Sequence, residues 1–291
     1  MALKLIDLSQ EIYQGMSIFP MHQPTFIMTN MTHEENMKKT GSKTLGFSAR
    51  NLLISEHCGT HSDGVWEYNP DGPTIDKMPL EYFWGSAICL DLSHVRYPNY
   101  IEPRDLEDAL RRSGQEIKRG DIVLLYTGHH DRAFGTDKFQ TDYSGLSYEG
   151  AKWLAERGVV NIGVDAPAID LTPDDIDFSA HKVCGEYHIT NTENLCNLDK
   201  LVNKRFLYIG LPLKIRDGSG SPIMEDSLLI LYRPDPSAAW TPVPSTTTFF
   251  GSHTDKYARI DMPGLTAGDY TFGWRMIPSA VPSVEETERG W

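Results

Sequence analysis

The sequence predicts an α/β fold, and three observations carry that reading. Strand-length apolar runs alternate with helix signatures through the middle third of the chain. Turn residues separate nearly every pair of them, as layered strands and helices require. The longest apolar runs, Ile122 to Tyr126 and Leu228 to Tyr232, suit strands and are far too short to span a bilayer.

Taken in order, Leu3 to Leu8 is a short apolar run and Leu45 to Ser55 a longer one with turn residues on both sides, so the N-terminal third reads mostly as strands. Gly85 to Leu92 reads as a buried strand. Pro103 to Ser113 predicts a helix, with proline in the tolerated first turn and Leu106, Ala109 and Leu110 on one face. Ile122 to Tyr126 is the next strand. Ser147 caps a second helix that turns Tyr148, Ala151, Leu154 and Ala155 inward, and Gly158 closes it. Val159 to Val164 follows as a strand. A helical stretch is expected from Asp174 to Leu201, interrupted near His188, and then Arg205 to Leu213 and Ser227 to Tyr232 as paired strands. After Arg233 the prolines at 234, 236, 242, 244, 263, 278 and 282 leave no room for a long helix. That tail reads as an extended arm or appended hairpin. Its aromatic residues suggest packing either on its own core or against a second copy, the second copy being favoured, hence a homo-oligomer.

The chain carries 27 Lys and Arg against 40 Asp and Glu, a formal charge of -13 over 291 residues. This acidic balance argues against nucleic acid or an anionic membrane as partner, since a phosphate backbone needs a basic face. The start has no signal-peptide pattern because Asp7 interrupts it. Cys58, Cys89, Cys184 and Cys196 form no CxxC pair, so the chain reads as reduced and cytoplasmic.

The segment His57-Cys58-Gly59-Thr60-His61-Ser62-Asp63 is the most informative. Two histidines four apart and a carboxylate two further on give three metal-capable side chains, with Gly59 allowing the sharp turn that lets them converge. The segment alone reads equally as two ordinary histidines. His181 and Glu193 are candidates to complete or double the site. His22, His33, His94 and His253 are isolated and read as exposed or structural, while His129-His130 follows a strand end and could line a cleft. Cys58 reads better as a small buried hydrophobe than as a ligand. Trp66, Tyr68, Phe83 and Trp84 read as core before substrate wall. Rival chemistries lack their motifs. Gly46-Phe47-Ser48-Ala49-Arg50 is no nucleophile elbow, neither GxGxxG nor a P-loop occurs, and Gly218-Ser219-Gly220 is a turn rather than a phosphate cradle.

These residues resemble the cyclase family that includes bacterial kynurenine formamidase and isatin hydrolase. Its pattern HxGTHxDxPxH is matched by His57, Gly59, Thr60, His61 and Asp63, and the likeness continues in Gly163 to Asp170, His181, Glu193-Asn194-Leu195 with Asn197-Leu198, and Gly210 to Lys214. The resemblance covers about residues 4 to 232. It implies a swivelling β/β/α fold, with domain 1–232 as a cyclase-like metal hydrolase and 233–291 as a proline- and aromatic-rich extension. It also implies a divalent metal, zinc ahead of manganese, on His57, His61 and Asp63 and, as in the family's two-metal members, His181 and Glu193 on a second ion that Asp63 bridges, with one ion or two left open. The family's proline is Val65 here, and its final histidine, an acid/base or a ligand, is Glu67, which is expected to carry the proton, with metal ligation as the other role. The implied function is metal-assisted hydrolysis of a small molecule. Opening of a lactone or cyclic amide, as by a trans-dienelactone hydrolase, is favoured over aryl formamide cleavage because of Glu67. An aryl formamidase, a non-catalytic metal-binding relative and a lyase using the same metal are the alternatives. Lys182, Lys214 and Arg216 are the cations nearest the motifs, and each reads first as solvated surface.

Overall fold

The computed structural model describes residues 3–171 and 175–223, and beyond them the strands within 228–233, 241–242, 246–252, 255–261 and 269–274. The chain divides into two compact units. One is Ile6–Met224 with Gly251–Tyr257, and the other is Met1–Leu5, Glu225–Phe250 and Ala258–Trp291. Strand β1 (Leu3–Ile6) opens the chain. In the larger unit β2 (Phe26–Met31) and β3 (Ala49–Leu53) pair antiparallel, with helix α1 (His33–Thr40) between them. Thr32 and Glu35 close a reciprocal capping box on α1. This helix was not expected, because it buries no residue and so has no apolar face to read.

A seven-stranded mixed sheet forms the body of the larger unit. In chain order its strands are β4 (His61–Asp63), β5 (Trp84–Asp91), β6 (Ile122–Tyr126), β7 (Asn161–Val164), β8 (Thr190–Glu193), β9 (Arg205–Ile209) and β10 (Gly220–Pro222). Across the sheet the order is β10-β4-β8-β7-β6-β5-β9. The β5–β6, β6–β7 and β7–β8 pairs are parallel, and the flanking pairs are antiparallel. Between the parallel strands run α2 (Pro103–Ser113), the short α3 (His129–Ala133), α4 (Tyr148–Glu156) and α5 (Ser179–Tyr187). The period of two sorts the core. Ile88, Leu90, Val123, Leu125, Ile162 and Val164 face the helical layer, where Leu106, Ala151, Leu154 and Val183 meet them. Ala87, Cys89, Ile122 and Leu124 face the other side with Leu195, Leu198 and Tyr208. All four cysteines are buried and unpaired.

The α/β reading holds, and two local readings are corrected. Residues 190–193 form strand β8, not helix. The sequence Thr-Asn-Thr-Glu has no apolar alternation, because its side chains are buried in polar contacts rather than in hydrocarbon. Arg205–Ile209 pairs with β5, so it is not a partner of the later strand β11 (Leu228–Arg233). In the smaller unit β11 lies between β12 (Thr241–Pro242) and β15 (Asp269–Trp274), and a separate three-stranded sheet has the order β1, β14 (Asp255–Asp261), β13 (Thr246–Ser252). The aromatic side chains behind the homo-oligomer expectation, and Asp174, lie outside the described residues. Among the described residues no helix is long and apolar enough to cross a membrane.

Asp165 directly follows β7, is buried, and accepts from Thr127 N (2.9 Å) and Thr127 Oγ1 through Oδ1, while Oδ2 has no hydrogen-bond partner. Burial raises its carboxyl to about 6. Below pH 4 folded and unfolded chains both hold the proton. As pH rises from about 4 to 6 the unfolded state gives up its proton while the folded state keeps it, so stability falls, and above 6 both states are ionised and the loss is complete. Between pH 4 and 8 the wild type should lose about 2–3 kcal/mol relative to Asp165→Asn in urea titrations. A pH-independent difference between the two proteins would refute this.

Candidate metal and active site

The site is assembled at one edge of the sheet, where β4 lies antiparallel between β10 and β8 and places His61 opposite Glu193. Gly59 takes φ +62°, the left-handed turn that brings His57 back beside His61. Thr60 fixes that turn by donating to Asn194 O (2.6 Å) and accepting from Gln10 N (2.8 Å). His57 is 8% exposed, His61 3% and Asp63 1%. His57 Nδ1 lies 2.9 Å and His61 Nε2 3.5 Å from Asp63 Oδ1. Across Asp63, His181 Nε2 is 3.5 Å from Oδ2 and 3.4 Å from Glu193 Oε1, and Glu193 Oε2 returns to His61 Nε2 at 3.5 Å. Two triads therefore share Asp63, His57–His61–Asp63 and Asp63–His181–Glu193. All five sequence candidates for metal ligation fall in this one cluster.

The donor set fits a divalent cation. Ligands held about 2.0–2.1 Å from one tetrahedral ion sit roughly 3.3 Å from each other, close to the spacings found here. Asp63 Oδ1 is buried with no hydrogen bond of good geometry, although two imidazole nitrogens face it. Each imidazole also has one nitrogen engaged outside the cluster. His61 Nδ1 donates to Gly59 O (2.9 Å) and His181 Nδ1 to Asp170, which leaves both Nε2 lone pairs inward. Desolvation lowers His61 to about 4, so its ring is neutral and able to ligate. Burial also opposes charge on His57 and His181, but Asp63 beside the first and Asp170 beside the second outweigh it, and both shift upward. The same histidines hold Asp63 well below the usual carboxylate range against its burial. Burial raises Glu193 to about 7.

A cavity of about 770 Å³ opens at this cluster, lined by Ile18, Phe19, Met21, Tyr68, Pro167 and Phe178 among others. Glu67 stands in its wall with the side chain 27% exposed and Oε1 3.4 Å from His57 Nε2. Desolvation, with Asp63 and Glu193 nearby, lifts its carboxyl well above the ordinary value. Of the cations near the motifs only Lys182 lines the cavity. Of the aromatic candidates only Tyr68 does; Phe83 is core, and Trp66 and Trp84 are partly exposed elsewhere. His129 and His130 do not line the cavity, because they enter α3 and His129 Nε2 bonds Phe139 O (2.8 Å). His22 is not an isolated surface histidine. It lines the cavity with its ring 4.9 Å from that of His57 and Nδ1 3.1 Å from Ser55 Oγ. Asp170, Asn191, Glu56 and Ser219 also support the site; none was a candidate in the sequence, although Glu56 adjoins His57 and Asp170 closes the 163–170 motif. Asn191 Nδ2 donates to Asp63 Oδ2 (2.7 Å) and Glu193 Oε1 (3.0 Å).

Fold and site together define a metal-dependent hydrolase. The model of the family described as "Putative cyclase" matches residues 6–171, more than half of the chain, and the protein belongs to that family. Kynurenine formamidase of Bacillus cereus is 28% identical over 218 residues, spanning 75% of this chain and 94% of that protein. The Bacillus anthracis kynurenine formamidase is 28% identical over 220 residues, 76% and 95% of the two chains. Among solved structures, isatin hydrolase A from Labrenzia aggregata bound to benzyl benzoate superposes with a TM-score of 0.67 at 18% identity, covering 89% of this chain and 93% of its own. A potential metal-dependent hydrolase with cyclase activity gives 0.59 at 20% identity, covering 77% and 96%. These two likenesses establish the shared fold.

Proposed function

We propose that the protein hydrolyses a carbonyl–nitrogen or carbonyl–oxygen bond of a small, partly apolar acyl compound, with cyclic amides and lactones as one substrate class and aryl formamides as the other. The observation that carries this reading is the pair of triads sharing Asp63 at the floor of a cavity walled by Phe19, Tyr68 and Phe178. His57, His61 and Asp63 would hold one divalent ion, zinc first and manganese second, and His181 and Glu193 with Asp63 a second. An ion bound there supplies an activated water and polarises the carbonyl to be attacked. Glu67 takes the proton released from that water and delivers it to the leaving nitrogen or oxygen as the acyl bond breaks, so the products are a carboxylate and an amine or alcohol. Phe19, Tyr68 and Phe178 hold the apolar part of the substrate. The substitution of glutamate at position 67 supports ring opening, whereas the 28% identity to kynurenine formamidases supports formamide cleavage equally. Turnover of zinc-loaded protein against a panel of lactones, cyclic amides and aryl formamides separates the two classes. Absence of turnover on every member would contradict the reading.

A further inference from the structure

His57 differs from the other two imidazoles in how its outward nitrogen is held. His61 and His181 give their outward N–H to acceptor-only partners, a carbonyl and a carboxylate. His57 Nε2 instead meets a hydroxyl, Ser219 Oγ, at 2.9 Å. A hydroxyl has one proton to give and can also accept. Here that proton is committed, since Ser219 Oγ donates to Glu56 Oε2 at 2.8 Å. Toward His57 the serine can therefore only accept, which places the proton of the neutral ring on Nε2 and the lone pair on Nδ1, the atom 2.9 Å from Asp63 Oδ1.

The turn that carries Ser219 is built for this contact. Glu56 Oε2 also accepts from Ser219 N (2.7 Å) and more weakly from Gly220 N (3.3 Å). Gly64 N donates to Ser219 O and Ile75 N to Gly218 O, so both flanking carbonyls are fixed. Gly220 lies flat against the imidazole, where a Cβ would fall 2.7 Å from His57 Cε1 and 3.1 Å from both ring nitrogens. Only glycine lets strand β10 approach the ring that closely. The 218–220 turn is thus bonded to His57 at one edge and packed on its face.

We propose that Ser219, held by Glu56, is a positioning residue that sets the tautomer and orientation of His57 so that Nδ1 is its metal-binding atom. A second consequence concerns Glu67, whose Oε1 is 3.4 Å from the same Nε2. With the Nε2 proton taken by Ser219, the Glu67 carboxyl is left for the substrate. The proposal rests on the reading of the triads as a metal site.

Two measurements test it. In zinc-loaded protein, long-range ¹H–¹⁵N NMR should show His57 protonated at Nε2 and zinc-bound at Nδ1; ligation through Nε2 would overturn the assignment whatever any variant does. Competition with a chromophoric chelator should show zinc bound about 10–100-fold more weakly by Ser219→Ala than by the wild type. The metal-free variant should melt within a few degrees of the metal-free wild type, because the turn keeps its backbone bonds to Glu56. Equal affinities for variant and wild type would overturn the positioning role. A wild type that binds no zinc would instead remove the metal-site reading itself, so the two failures are distinguishable.

Discussion

His61→Ala should purify with little or no bound metal, and its zinc affinity should fall by more than the roughly 10–100-fold that loss of an outer hydrogen-bond partner costs. The size of the effect follows from the geometry. His61 Nε2 faces carboxylate oxygens from both triads, Asp63 Oδ1 and Glu193 Oε2, so removing the ring opens the shared centre of the cluster. No neighbouring group can replace it, because the other nitrogens of the cluster come from His57 and His181 on opposite sides of Asp63. Elemental analysis and chelator competition measure the loss. Full occupancy in His61→Ala would remove this residue from the ligand set.

Glu67→Gln should lower turnover by about 10²–10⁴ while metal content holds. The amide keeps the shape of the side chain and cannot carry a proton. In the metal-free protein Glu67 lies above its ordinary carboxyl value because of desolvation and the nearby Asp63 and Glu193, which suits a group that must give its proton to a leaving atom. This departs from what the sequence suggests, a carboxylate ionised well below the usual range beside a cation; the cavity wall's burial opposes ionisation. If metal is lost together with activity, Glu67 is a ligand. Unchanged turnover would send the proton through water or another side chain.

The fold was legible where one physical signal dominates. The parallel strands β5 (from Ala87 on), β6 and β7 are buried on both faces and read largely as apolar runs. Helices α2 and α4 announce themselves through Pro103, the Ser147 cap and apolar residues at helical spacing. Strand β8 failed that reading because Thr190, Asn191, Thr192 and Glu193 are buried by polar pairing around Asp63, which leaves no hydrophobic period. In the site the three candidate ligands at 57, 61 and 63 are close in sequence and could be proposed from their spacing. His181 and Glu193 came through the ordered motifs of the family. Among the supporting residues Asp170 stands in the 163–170 motif and Glu56 beside His57, but neither position reveals the contact it makes. Glu56 and Ser219 meet across 163 positions, and Asp170 reaches His181 only through the folded loop before α5. His22 looked isolated because the turn that brings it to His57 contains no chemistry of its own.

Anomalous diffraction from crystals grown with zinc, recorded on both sides of the zinc edge, tests the central claim most directly. A peak is expected about 2.0–2.2 Å from His57 Nδ1, His61 Nε2 and Asp63 Oδ1, with any second peak between Asp63 Oδ2, His181 Nε2 and Glu193. Zinc found only at surface residues, with the two triads free of anomalous density, would contradict it.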